Sequence, residues 1–366
     1  VTTPRTEERL APAPEGYSWP ELHRLVSTCL HAGLSVLLRG HPGVGKSALA
    51  ARLADDLGLP LIDIRLAQRD PADLCGVWFP DRDAAVLSVY PPRWAIAAAE
   101  RPALIFLDEI NAAVTKLHQA AAYQLVLERR VGELQLHPDT LILAAGNLQD
   151  DEAIVTPLSS ALNNRFVHFV LRADAPAWVS WARDAGLHPA VVAYIERHGV
   201  DALYAPAEGE PAFPTPRAWE MLSRALTDAD ARDHRRLAAA CVGVRAGERF
   251  YTWQRVFESV RVDRLIGRGE TVDFQTGRGA DPSFAYAVMH AVGAFLADAR
   301  SLSASEAANV VRFLRSPGLD AEYAFLCLRL VRRNTDVFAQ LRSLPSFRDL
   351  ARDLVGLHPL VVERRA

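Results

Sequence analysis

The sequence predicts an α/β fold: a P-loop and a parallel five-stranded sheet with helices on both faces, followed by an all-α lid and a helical C-terminal extension. Three observations predict it. Short apolar runs alternate with helix-period stretches as far as Leu171. Beyond Asp174 the strand signal nearly vanishes. Directly after the first apolar run, Gly40-His41-Pro42-Gly43-Val44-Gly45-Lys46-Ser47 reads G-x-x-x-x-G-K-S.

In chain order, residues 1–16 hold Pro4, Pro12, Pro14 and Gly16 among charges, a composition too polar to keep one conformation, and read as a flexible tail. A helix is expected from Trp19, with Leu22, Leu25, Val26, Cys29 and Leu30 at helical spacing and Gly33 ending it. Residues 34–38 form the first strand, the helix after the glycine-rich turn runs to Gly58, and residues 59–64 form the second strand. Over 70–93 the pattern turns irregular, with prolines among Trp78, Phe79 and Tyr90, which reads as an inserted hairpin or loop. A helix with Pro92 near its start precedes the third strand, 103–109, which ends in Asp108 and Glu109. A helix over 112–128, striped by Val114, Leu117, Ala121 and Leu125, leads into a hairpin over 129–137 that turns at Gly132. Residues 140–146 form the fourth strand, with Asn147 at its end, and 167–171 the fifth. Helices are expected over 178–199, 217–226, 285–299, 305–314 and 322–338, with Thr215 as N-cap and Pro216 at N1 of the second. The expected division is an α/β domain over 17–175, a lid over 176–250 and an extension over 251–366.

A strand, a glycine-rich turn and a helix opening at Lys46 aim backbone N–H groups into one concavity suited to polyphosphate. Lys46 reaches β- and γ-phosphates, and the Ser47 hydroxyl can ligate Mg²⁺. Lys116 is the other lysine of a chain that otherwise uses arginine, so a compact ammonium is kept where it suits phosphate. In an open α/β sheet ligands sit at the carboxyl ends of strands, which puts Asp108 and Glu109 beside the phosphate loop. Asp108 is then a metal-holding group and Glu109 orients and polarises the attacking water. Asn147 can hydrogen-bond both water and γ-phosphate.

Composition narrows the rest. With 366 residues, 50% hydrophobic and 23% charged, the chain reads as a globular protein of two or three domains. A net charge of −3 speaks against a strongly basic nucleic-acid binder. No apolar run reaches the roughly 20 residues of a membrane span, and no leader pattern is read at the start, so a cytoplasmic protein is expected. Cys29, Cys75, Cys241 and Cys327 are scattered, which indicates neither a zinc site nor a disulfide framework.

Five signals in fixed order resemble the AAA+ ATPases, in particular their MoxR branch. Residues 40–47 are similar to Walker A, 104–109 to Walker B, and Asn147 to sensor 1. Arg165 in Asn164-Arg165-Phe166 matches the arginine-finger position, and Arg217 in Thr215-Pro216-Arg217-Ala218-Trp219-Glu220 matches sensor 2. The stretch 70–93 falls where that branch carries its helix-2 insert, and 130–136 where it carries a pre-sensor hairpin. The resemblance implies ATP and Mg²⁺ as cofactors. Gly40, His41, Pro42, Gly43, Val44, Gly45, Lys46, Ser47, Ala48 and Asp108 would hold the nucleotide, and Ser47 and Asp108 the metal. Lys46, Glu109, Asn147, Arg165 and Arg217 would carry catalysis. It further implies a ring-forming, commonly hexameric ATPase that remodels a client protein or complex, with a von Willebrand A domain protein as partner.

A second class of function is an AAA+ motor or loader on nucleic acid. Its support is the stretch 232–268, where nine arginines face four acids. The competing reading is a helix face that meets acidic neighbours.

Overall fold

The computed structural model describes residues 16–81, 86–112, 115–148, 157–206, 209–276 and 281–355. The flexible tail expected over 1–16 lies outside them except for Gly16, as do Val114 and positions 82–85 of the insert. The chain divides into two compact units, Val1–Ala177 with Thr215–Arg217, and Trp178–Pro214 with Ala218–Ala366.

The first unit contains all the strands found among the described residues: β1 (Val36–Arg39), β2 (Leu61–Arg65), β3 (Val77–Asp81), β4 (Val86–Tyr90), β5 (Leu104–Asp108), β6 (Arg130–Val131), β7 (Leu134–Gln135), β8 (Leu141–Gly146) and β9 (Val167–Val170). Its helices are α1 (Trp19–His31), α2 (Lys46–Leu57), α3 (Ala72–Cys75), α4 (Arg93–Glu100), α5 (Lys116–Glu128) and α6 (Ser160–Asn163). Five strands make one sheet in the order β2-β5-β8-β1-β9, every pair parallel, as the alternation of runs predicts.

Strand residues point alternately to the two faces, and the core divides accordingly. Val36, Leu38, Leu104, Phe106, Leu143 and Ala145 share one cluster with Leu22, Val26 and Leu30 of α1 and Leu49 and Leu53 of α2. Leu37, Ile105, Leu107, Ile142 and Ala144 share the other with Ala95 and Ala98 of α4 and Ala122 and Leu125 of α5. Each fully buried leucine or isoleucine contributes about 1.5–3 kcal/mol. The burial of both faces explains why these strands read as continuous apolar runs.

Helix ends follow from local chemistry. Ser18 and Glu21 form a capping box on α1, with the Ser18 N–H donating to Glu21 Oε2 at 2.9 Å. The helix expected from residue 112 starts instead at Lys116, because Thr115 caps it and His118 closes the box from N3. The insert is an antiparallel β3–β4 hairpin, and Trp78, Phe79 and Tyr90 are each more than half exposed. The β6–β7 turn abuts it: a Cβ on Gly132 would lie 2.8 Å from Val89 Cγ1.

Beyond the sheet the described residues carry helices and no strands: α7 (Ala175–Asp184), α8 (Pro189–His198), α9 (Val200–Leu203), α10 (Pro216–Asp228), α11 (His234–Val242), α12 (Val244–Glu258), α13 (Pro282–Asp298), α14 (Ala304–Leu314), α15 (Ala321–Val331), α16 (Thr335–Ser343) and α17 (Pro345–Val355). The helix expected over 322–338 is two helices, because Asn334 breaks it and caps α16 by accepting from the Val337 N–H at 3.1 Å. Helix α12 packs against both α8 and α13. Glu196 of α8 is largely buried and paired with Arg183 of α7, His290 of α13 and Arg329 of α15.

Candidate nucleotide site

The carboxyl ends of β1, β5 and β8 bring together residues up to 101 positions apart. Gly45, at φ +108, precedes Lys46 as the N-cap of α2. Only glycine adopts that backbone without strain, and as N-cap it makes no side-chain cap on the first turn of α2. Lys46 is buried, and its Nζ donates to Gly40 O at 2.5 Å, His41 O at 3.0 Å and Asn147 Oδ1 at 3.1 Å. Ser47 Oγ donates to Asp108 Oδ2 at 3.1 Å. Asp108 Oδ1 accepts from the Glu109 N–H at 2.9 Å.

Glu109 is half-buried and sits at φ +56, in the left-handed region. A non-glycine residue there costs on the order of 1–3 kcal/mol, a strain that concentrates at functional sites. Arg165 is exposed at the exit of α6, between Asn164 and the buried Phe166. The exit is pinned: Arg39 Nη2 donates to Asn163 Oδ1 at 3.1 Å, and His168 Nε2 lies 2.7 Å from Asn163 O. Arg217 is exposed in the first turn of α10. Thr215 before it is buried against the glycine-rich loop, since a Cβ on Gly43 would lie 2.9 Å from Thr215 Oγ1. Lys46 with Asn147 and Ser47 with Asp108 thus form two contacts from adjacent residues, while Arg165 and Arg217 stand exposed outside them among the described contacts.

These groups fit a magnesium-bound polyphosphate. The glycine-rich loop and α2 offer N–H donors, Lys46 offers a cation, and Ser47 Oγ and Asp108 Oδ2 are close enough to share one small hard cation. Mg²⁺ is ordinarily held by one or two protein oxygens together with phosphate and water. Among the described residues no cluster of three or more His, Cys, Asp or Glu forms a protein metal cage. Asn111, which the sequence reading passed over, is buried and hydrogen-bonded to the backbone of Asn147. Its only signal was an amide two residues beyond the paired carboxylates.

A five-stranded parallel sheet with this loop, strand-end carboxylate and amide defines a P-loop nucleotide-binding protein. Residues 35–166 match the family described as the AAA domain, dynein-related subfamily. The chain is 35% identical over 112 residues to an uncharacterized AAA domain-containing protein of Schizosaccharomyces pombe, covering 31% of this chain and 13% of the relative. It is 32% identical over 158 residues to midasin of Giardia intestinalis, covering 39% of this chain and 3% of that protein. The chain therefore spans only a small part of the length of these relatives. Among solved structures it is similar to the Thermotoga maritima RuvB Holliday junction branch migration motor, at 15% identity and a TM-score of 0.37, over 70% of this chain and 78% of that one. No helix among the described residues is long and apolar enough to cross a membrane.

Proposed function

We propose that this protein is a Mg²⁺-dependent ATPase of the MoxR type, a cytoplasmic ring, commonly a hexamer, that remodels or matures a client protein or complex with a von Willebrand A domain partner. The observation that carries the ATPase reading is the arrangement in which Lys46 meets the phosphate loop and Asn147 while Ser47 meets Asp108. Lys46 and the loop N–H groups bind the phosphates. Ser47 and Asp108 would hold Mg²⁺, which when bound would supply charge neutralisation to the phosphates. Glu109 orients and polarises the water whose oxygen bonds to the γ-phosphorus as the bond to the β,γ-bridging oxygen breaks, releasing ADP and phosphate. Asn147 keeps the γ-phosphate aligned. Arg165, exposed on a pinned turn, is presented to a neighbouring subunit's nucleotide, and Arg217 approaches phosphate from the first turn of α10.

Ion pairing within the helical unit weakens the nucleic-acid reading. Arg232 pairs with Asp230 and Asp233, Arg235 with Glu248, Arg236 with Asp233, Arg245 with Glu210 and Arg261 with Asp263. Five of the nine arginines over 232–268 are thus paired with acids of the chain, two of them with Asp230 and Glu210 outside the stretch.

Two substitutions separate binding from chemistry. Lys46→Ala abolishes ATP binding, because the lysine contacts ground-state phosphate. Glu109→Gln keeps binding and removes hydrolysis, because its water matters only in the transition state. Titration with labelled ATP and a phosphate-release assay measure both. Wild-type turnover retained in Glu109→Gln would remove Glu109 from its role.

A further inference from the structure

We infer that Asn111 is a positioning residue for hydrolysis: it ties the turn that carries Glu109 to the backbone of Asn147, so that both are held in one frame. The inference rests on the ATPase reading above.

Strands β5 and β8 pair in parallel as far as Leu107 and Ala144. At Glu109 the positive φ turns the chain, yet pairing with β8 continues. The Ile110 N–H donates to Ala145 O at 2.9 Å. Asn111 then carries the ladder on with its side chain: Nδ2 donates to Asn147 O at 2.8 Å, and Oδ1 accepts from the Asn147 N–H at 3.0 Å. A carboxamide offers the same donor and acceptor as a peptide group, so it can replace a strand partner at this point. The residue type follows from that requirement. Ionised aspartate would lose the donor and set a negative oxygen against Asn147 O, and alanine would lose both bonds.

The space around the amide is built for it. Asn111 is 7% exposed, and Gly146 lies beneath it with no room for a side chain: a Cβ there would come within 2.6 Å of Asn111 Oδ1 and 3.0 Å of its Cγ. Asn147 is therefore held from two sides, its backbone by Asn111 and its side-chain oxygen by Lys46. Loosening the backbone clamp leaves Lys46 and Ser47 in place for ATP but lets the γ-phosphate-facing amide drift from Glu109, and a displacement of about 1 Å from the reacting geometry can cost on the order of 100-fold in rate.

Steady-state ATPase kinetics on the full chain test this. Asn111→Ala is expected to lower kcat roughly 30- to 100-fold while KM for ATP changes less than about 3-fold. Gly146→Ala is expected to reproduce that split, because the new methyl displaces the amide. In the Asn111→Ala background the same Gly146→Ala change should add less than about 3-fold, since nothing remains to clash with, and that coupling is the signature of the contact. Asn111→Asp, which exchanges one atom, should show an intermediate kcat and serves as the primary variant if Asn111→Ala does not fold. Unchanged kcat in these variants, independent effects at 111 and 146, or a rise in KM matching the fall in kcat overturns the inference alone. Absence of turnover in the wild type overturns the ATPase reading and this role with it.

Discussion

Each unit holds a polar cluster organised around a carboxylate, Asp108 in the first and Glu196 in the second, and the two differ in what answers the charge. At the carboxyl end of the α/β unit's sheet, Asp108 meets a hydroxyl and a backbone N–H among the described contacts, and Ser47, Glu109 and Asn147 are only half-buried. In the helical unit Glu196 has a side chain 14% exposed and is answered by Arg183, Arg329 and His290 of its own chain. Burial alone would raise the Glu196 carboxyl, but the His290 hydrogen bond and the two guanidiniums outweigh it and hold the group at about 2. Burial pushes His290 down, against the pull of Glu196. A carboxylate saturated by its own chain is a clasp. One met by neutral donors at the carboxyl end of a parallel sheet is prepared for a ligand that brings the positive charge.

If that distinction holds, changes at the first cluster alter chemistry and changes at the second alter stability. The largest effect is expected at Arg165. Arg165→Ala should lower turnover by about 10³ to 10⁵, the worth of an arginine supplied to a neighbouring phosphoryl group, with melting unchanged. Mixing Arg165→Ala with Lys46→Ala, each inactive alone, should restore activity through mixed interfaces. No recovery at any ratio would put Arg165 outside a shared site.

Glu196→Gln is expected to cost about 3–5 kcal/mol in denaturant unfolding, because Arg183 is left buried without its partner. ATP affinity should not change, and a tenfold loss would break the comparison. The same clasp sets an acid response. Glu196 has its carboxyl depressed in the folded state, so its contribution is fully present above the ordinary value of 4.5 and is lost as pH falls toward about 2. The loss over that window is on the order of 3 kcal/mol. Acid unfolding of wild type against Glu196→Gln measures it, and parallel curves would mean the clasp contributes nothing.

The smallest effect on folding is expected at the β3–β4 hairpin. Trp78 is 60% and Phe79 57% exposed, so replacing both with Ser should shift stability by no more than about 0.5 kcal/mol each. Client capture in a Glu109→Gln background should fall, since exposed aromatics on a hairpin make a contact surface. A melting drop of several degrees with capture intact would make them a local core instead.

Much of the α/β unit was legible in sequence because a buried parallel strand and a phosphate loop have local signatures. Residues 104–107 announce a strand buried on both faces, and Gly45 followed by Lys46 announces a helix that opens on an anion. Helix ends set by side chains were less legible. The start of α5 depended on Thr115 and His118 forming a capping box, and the break between α15 and α16 on the Asn334 side chain reaching the Val337 N–H.

What the sequence determined by itself is the order of chemical groups: a phosphate loop, paired carboxylates, an amide and an arginine, each at the end of a local element. Only the tertiary structure decided which of them touch. Asn111 is one more polar residue in a turn until β8 lies beside β5 and puts the Asn147 peptide within reach of its amide. Glu196 is likewise one more helix acid until α13 and α15 deliver His290 and Arg329. The physical reason is that a hydrogen bond or ion pair acts over about 3 Å, and separations of 36 and 133 residues are closed only by the packing of the elements between them.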